Sequence, residues 1–141
     1  MRCELIPGSQ LPSLMDSQDV HAIILESRWI REKETLFMLY RAETGADYMG
    51  LNWDALWEVL TDHSLMHKPI TAIVHTAWPL PLPEKDLQIY YGLLSDAFEY
   101  HQGSFAHEKC EVKEPHFKII FVYDSEEEKS EMEKTLNAYA G

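Results

Sequence analysis

Three stretches of this sequence are apolar almost without interruption, and they limit its fold more than any other feature. They are Val20-His21-Ala22-Ile23-Ile24-Leu25-Glu26, Ile70-Thr71-Ala72-Ile73-Val74-His75-Thr76 and His116-Phe117-Lys118-Ile119-Ile120-Phe121-Val122-Tyr123. Each is short and rich in β-branched residues, the signature of a strand covered on both faces. The segments between them have a helical period. Leu36, Leu39 and Tyr40 step by three and four within Lys33 to Glu43, with Thr44-Gly45 as the stop; Trp53, Leu56, Val59 and Leu60 do so in the next segment. A third helix is predicted from Glu84 to His101, with Leu87, Tyr90, Tyr91, Leu94, Ala97 and Phe98 inward and Gly103 at its end. Ser125-x-x-Glu128 opens a last helix, roughly Glu126 to Tyr139. Short apolar strands joined by helices call for right-handed crossovers onto a parallel sheet. The expected fold is therefore α/β, with three parallel strands packed by helices and an added helix at the C-terminal end. Residues 1–141 fit a single domain. Within it, residues 1–19 read as an irregular lead-in broken by Pro7-Gly8-Ser9 and Pro12-Ser13, Trp78-Pro79-Leu80-Pro81-Leu82-Pro83 as a stiff connector, and 104–115 as a loop.

Charge narrows the function. Twenty-four acidic residues against twelve basic ones give a net charge of −12, which repels phosphate backbones and anionic lipids. Neither direct nucleic-acid binding nor membrane association is expected. Such a field steers a cationic partner, although acidity that only maintains solubility has the same appearance. Cys3 and Cys110 lack a CxxC neighbour, so a reducing compartment is the simpler reading. With no signal-like start and no run long enough to span a bilayer, the expected location is the cytoplasm.

The segment from Tyr48 to Asp62 carries the functional signal. With Trp53, Leu56, Val59 and Leu60 facing the core, Asp54, Glu58, Thr61 and Asp62 fall on the opposite side and Trp57 on the border. Asp54, Glu58 and Asp62 are spaced i, i+4, i+8 with no Lys or Arg between them, so like charges stack along one ridge and weaken the isolated helix. Solvated helix faces also look like this. Here, however, an aromatic and apolar entry, Tyr48-Met49-Gly50, precedes the ridge; Gly50 permits a positive φ or a close backbone approach, and Asn52 can cap the helix. Large side chains beside carboxylates are the material of a protein-binding hot spot.

Catalysis finds little support. His63 and His67 are four apart but lack the glutamate of an HExxH motif, and Pro69 follows closely; His101, His107 and Cys110 are irregularly spaced in a loop setting. No glycine-rich phosphate loop or GxSxG motif is present. Asp54 and Glu58 on an exposed ridge have nothing to separate their pKa values, as an acid–base pair requires. No enzyme activity, metal or cofactor is expected.

Tyr48-x-Gly50-x-Asn52-x-Asp54-Ala55-Leu56-Trp57-Glu58-x-Leu60-Thr61 resembles the central segment of the barstar family, intracellular inhibitors of secreted bacterial ribonucleases. The resemblance spans residues 20–123, leaving the lead-in and residues 124–141 outside. It implies a three-stranded parallel sheet packed by helices, a basic bacterial ribonuclease or toxin nuclease as partner, and inhibition by an acidic helix occupying the enzyme's cationic cleft. Tyr48, Asn52, Asp54, Trp57 and Glu58 match family interface positions, Met49 and Gly50 lie in the approach loop, and Asp62 extends the ridge. In the family the carboxylate at the position of Glu58 reaches deepest into the enzyme. Two departures stand out: the family usually has Asp where this chain has Glu58, and Met49 replaces an aromatic. Glu99 is a candidate for a further acidic interface residue. An immunity protein against an unrelated toxin nuclease, or a regulator without a nuclease partner, would fit the same scaffold.

Overall fold

The structure, a computed structural model, describes residues 1–76, 78–103 and 106–139. The three anticipated strands are β2 (Val20–Leu25), β3 (Ile70–His75) and β4 (His116–Tyr123). They pair in parallel, with Ile23 beside Ile73 and Ile73 beside Ile119. The expectation of three strands is corrected by a fourth. Residues Glu4–Pro7 form β1, which pairs in parallel with β4 from Glu4↔Ile120 to Pro7↔Tyr123 and gives the sheet order β1-β4-β3-β2. The lead-in is thus an element of the sheet, followed by a short helix, α1 (Leu11–Asp16), with Pro12 in its first turn. Two properties hid them. β1 is only four residues long and ends in proline, which an edge strand tolerates; proline within a first helical turn starts a helix rather than breaking one.

The direction of travel across the sheet explains which face each helix covers. From β2 through β3 to β4 the chain steps one way, so right-handed crossovers put the intervening helices on one face. From β1 to β2 it crosses the other way, and the same handedness sends α1 to the opposite face. There Leu11 and Leu14 pack with Ile6 over Val20, Ala72, Val74, Ile120 and Val122. The main core lies on the first face, where Ile23, Leu25, Ile73, Phe117, Ile119 and Phe121 meet four helices: α2 (Lys33–Thr44), α3 (Trp53–Leu60), α4 (Glu84–Gln102) and α5 (Glu126–Asn137).

Helix ends follow local chemistry. Glu32 and Thr35 form a reciprocal cap at the start of α2, and Gly45 ends it with φ of 71° in the left-handed region. Ser125 accepts from the Glu128 N–H at 3.1 Å, and the Glu128 carboxylate accepts from the Asp124 N–H, also at 3.1 Å. Glu128 therefore belongs to the cap of α5, while Glu126 and Glu127 place negative charge in its first turn, favourable against the helix dipole. Between β3 and α4, the connector tucks Leu80 and Leu82 into the core, and the Trp78–Pro79 bond is cis.

One buried polar network crosses this core. His75 Nδ1 lies 3.0 Å from the Ile120 carbonyl, so it carries the proton and donates. Nε2 must then accept, at 2.7 Å, from the Tyr90 hydroxyl, whose oxygen in turn accepts from Tyr40 at 2.6 Å. All three side chains are fully buried, and each partner makes burial of the next affordable. No described helix is long and apolar enough to cross a membrane.

Candidate acidic interface

α3 is short, and its position is fixed at its entry. Asn52 caps it, its side-chain oxygen accepting from the Ala55 N–H at 2.8 Å. Gly50 leaves room for that cap: a Cβ there would lie 3.0 Å from the Asn52 amide nitrogen, so the amide would have to shift, and no left-handed φ is involved. The Arg41 guanidinium donates through Nε and Nη2 to the Met49 carbonyl, tying the entry loop to α2. Asn52→Ala is expected to cost about 1 kcal/mol of stability by removing the cap, measured as a fall in the urea midpoint. A variant as stable as the parent would show that the entry loop holds without it.

Leu56, Val59 and Leu60 are buried, and Trp53 packs edge-on against Phe37 at 4.8 Å. Asp54 and Glu58 stand exposed on the opposite side, with no ion pair among the described residues. Trp57, on the border, is half-buried against the main core and meets Tyr100 of α4 edge-on at 6.2 Å.

Two sequence-derived assignments need correction. Met49 is only 2 % exposed: its side chain joins the core, and only its backbone belongs to the approach loop. Asp62 lies beyond the helix, because α3 ends at Leu60, although it borders the same groove as Glu58. It caps the next turn instead, accepting from the Ser64 N–H at 2.9 Å and, through its other oxygen, from the Tyr48 hydroxyl at 3.3 Å. The Ser64 hydrogen bond leads in holding the Asp62 carboxyl below its ordinary range. Asp62 thus tethers Tyr48, which is 72 % exposed.

Beside Glu58 lies a groove of about 380 Å³, bounded by Thr61, His63, Tyr100, Glu108 and Lys109. Tyr100 and Glu108 are additions that the reading of the sequence missed. Tyr100 had a signal, as a large aromatic lying off the apolar stripe of α4. Glu108 had none, since only the folded loop brings it to α3. Glu99 is ion-paired with Arg2. The histidines are dispersed. His101 donates from Nε2 to the Leu60 carbonyl at 2.7 Å and accepts at Nδ1 from His107 at 3.2 Å; His63 begins a turn after α3, and His67 lies against His21. Among the described residues, no three metal-ligating side chains gather.

The family described as barstar (barnase inhibitor) matches residues 20–135. This chain belongs to the barstar family. No curated protein and no solved structure matches it. The match runs beyond Tyr123 through most of α5, further than the motif-based resemblance, while β1 and α1 precede it. The α/β architecture with a parallel sheet is thus that of the barstar family, carrying one more strand than anticipated.

Proposed function

We propose that this barstar-family protein inhibits a barnase-like ribonuclease by seating α3 in the enzyme's cationic active site. The observation that supports this reading is the pair Asp54 and Glu58, one turn apart, exposed and without ion pairs among the described residues, on a helix whose opposite side is fixed in the core. A ribonuclease cleft displays Arg, Lys and His around a phosphodiester. Two carboxylates on a rigid helix can replace that phosphodiester with charge-assisted hydrogen bonds and offer no bond to cleave. Tyr48, tethered to Asp62, and Trp57, next to Glu58, supply aromatic area beside the ridge, and the net charge of −12 steers the encounter. Inhibition is by occlusion, and the protein performs no turnover. Titrating a barnase-like ribonuclease should give stoichiometric loss of RNA cleavage, with slower association as salt rises.

The groove beside Glu58 favours a second reading within the same mechanism. With Glu58 in place of the family's usual Asp, and Tyr100 and Glu108 forming a wall beside it, the cognate enzyme is a toxin nuclease other than barnase, and this chain is its immunity protein. Inhibition of that toxin but not of a barnase-like enzyme would select this reading.

A further inference from the structure

A cavity of about 360 Å³ lies between the Pro-rich connector, the first half of α4 and the end of α5. It lies apart from the acidic ridge: no residue of α3 lines it, and Trp57, next to Glu58, meets α4 at Tyr100, nine residues and about 13 Å of helix beyond Tyr91; only the core-side Trp53 comes near, against Tyr90. Three aromatic side chains wall it, Trp78, Tyr91 and Tyr139, the last two packed edge-to-face at 4.9 Å. Two carboxylates border it, Glu84 and Glu131, against one cation, Lys134. Glu84 accepts from the Tyr139 hydroxyl at 2.9 Å, which aligns carboxylate and ring on one side. Glu131 and Lys134 have no ion pair among the described residues.

Tyr91 points to an occupant. It is 1 % exposed, yet its hydroxyl has no hydrogen-bond partner among the described residues. Among the described residues every fully enclosed polar side-chain atom does have one, so the Tyr91 hydroxyl retains some exposure, on the side of the cavity it lines. A nearly buried hydroxyl beside Tyr139 and Glu84, in a cavity that Glu131 also borders, is an arrangement for a polar group carried on an apolar stem. The carboxylates outnumber the lysine, and aromatic faces attract cations. A guanidinium fits better than an ammonium, because it is flat, weakly hydrated, stacks on rings and can donate to two carboxylates and a phenol at once. We propose that this cavity is a binding site for an alkylguanidinium, presented either by a small free molecule or by an arginine side chain of another protein. It does not depend on ribonuclease inhibition.

The test is a ¹H–¹⁵N NMR titration of the full chain, following the indole N–H signals of Trp78 and Trp57. The probes are agmatine, N-acetyl-arginine amide, butylamine and sodium acetate. Agmatine should give saturable shifts at Trp78 but not Trp57, with an affinity of the order of millimolar for a fragment of about ten non-hydrogen atoms. Butylamine should bind more weakly and acetate not at all. Glu131→Gln should weaken binding about tenfold, Tyr91→Phe should weaken it less, and Lys134→Gln should strengthen it. Equal response to N-acetyl-arginine amide identifies an arginine side chain as a competent occupant, whereas response to agmatine alone identifies a free small cation. The proposal is overturned by no saturable shift with either guanidinium, by equal shifts at Trp57, or by acetate binding that Lys134→Gln abolishes.

Discussion

Glu58→Ala should weaken the complex with the cognate ribonuclease by about 2–5 kcal/mol, the range for truncating one partner of a buried, hydrogen-bonded charge pair and one that draws on the barnase–barstar pair itself. Much of that loss comes from the enzyme side, where a desolvated Arg or His is left without its counter-charge. The free protein loses little, because Glu58 is exposed and, among the described residues, makes neither an ion pair nor a cap. The affinity change should therefore appear without a shift in the urea midpoint, and mainly in the dissociation rate. Glu133→Ala is the control: it removes the same charge from an exposed site on α5 and should move only the association rate. If both variants lose affinity equally, the helix is not in the cleft and the acidic field alone accounts for binding. Glu58→Asp separates reach from charge. A partner matched to the longer side chain discriminates against it, whereas a partner matched to the family's usual aspartate prefers it.

Stability should fall as the solution is acidified from pH 7 towards 4, and His75 dominates the loss. Complete burial lowers its pKa from 6.5 to about 4, opposed in part by the hydrogen bond to Ile120. In that interval the unfolded chain binds a proton at His75 and the native protein does not, so stability rises with pH and is lost as pH falls. A gap of that size corresponds to roughly 3 kcal/mol at 1.36 kcal/mol per pH unit. Burial also lowers the pKa of His21, His101 and His107, each acting in the same direction. Urea midpoints measured from pH 7 to pH 4.5 should show the fall. His75→Gln, whose amide can still donate to Ile120 and accept from Tyr90, should reduce the slope by about one proton. An unchanged slope would place the titrating group elsewhere.

The three apolar runs specified β2, β3 and β4, and their parallel order followed from the helices between them, because periodicity and crossover handedness are carried by the sequence itself. Asn52, Gly45 and Ser125 marked helix boundaries for the same reason: capping is local chemistry. What escaped was non-local. β1 exists because β4 offers it an edge, and four residues ending in proline carry no strand signal by themselves. Asp62 looked like a ridge residue because helical periodicity was extended past Leu60, where the backbone turns to be capped by that carboxylate. Met49 looked like an approach-loop contact because the resemblance supplies a position and not an orientation; the carbonyl goes to Arg41 and the thioether into the core. Tyr100 and Glu108 stand beside Glu58 through tertiary folding that spacing along the chain does not encode.

The pairing of β1 with β4 also sets an order of assembly. Glu4 leaves the ribosome long before Ile120, the residue it must meet. Meanwhile β2 and β3 can join through α2 and α3, and β4 can add through α4, each closing a shorter loop. The N-terminal segment therefore waits as an unpaired apolar strand, and β4 presents an open edge until the two meet. A fusion or truncation near Met1 would act on this last step, raising aggregation during synthesis while leaving the acidic helix of any molecule that completes its sheet unchanged.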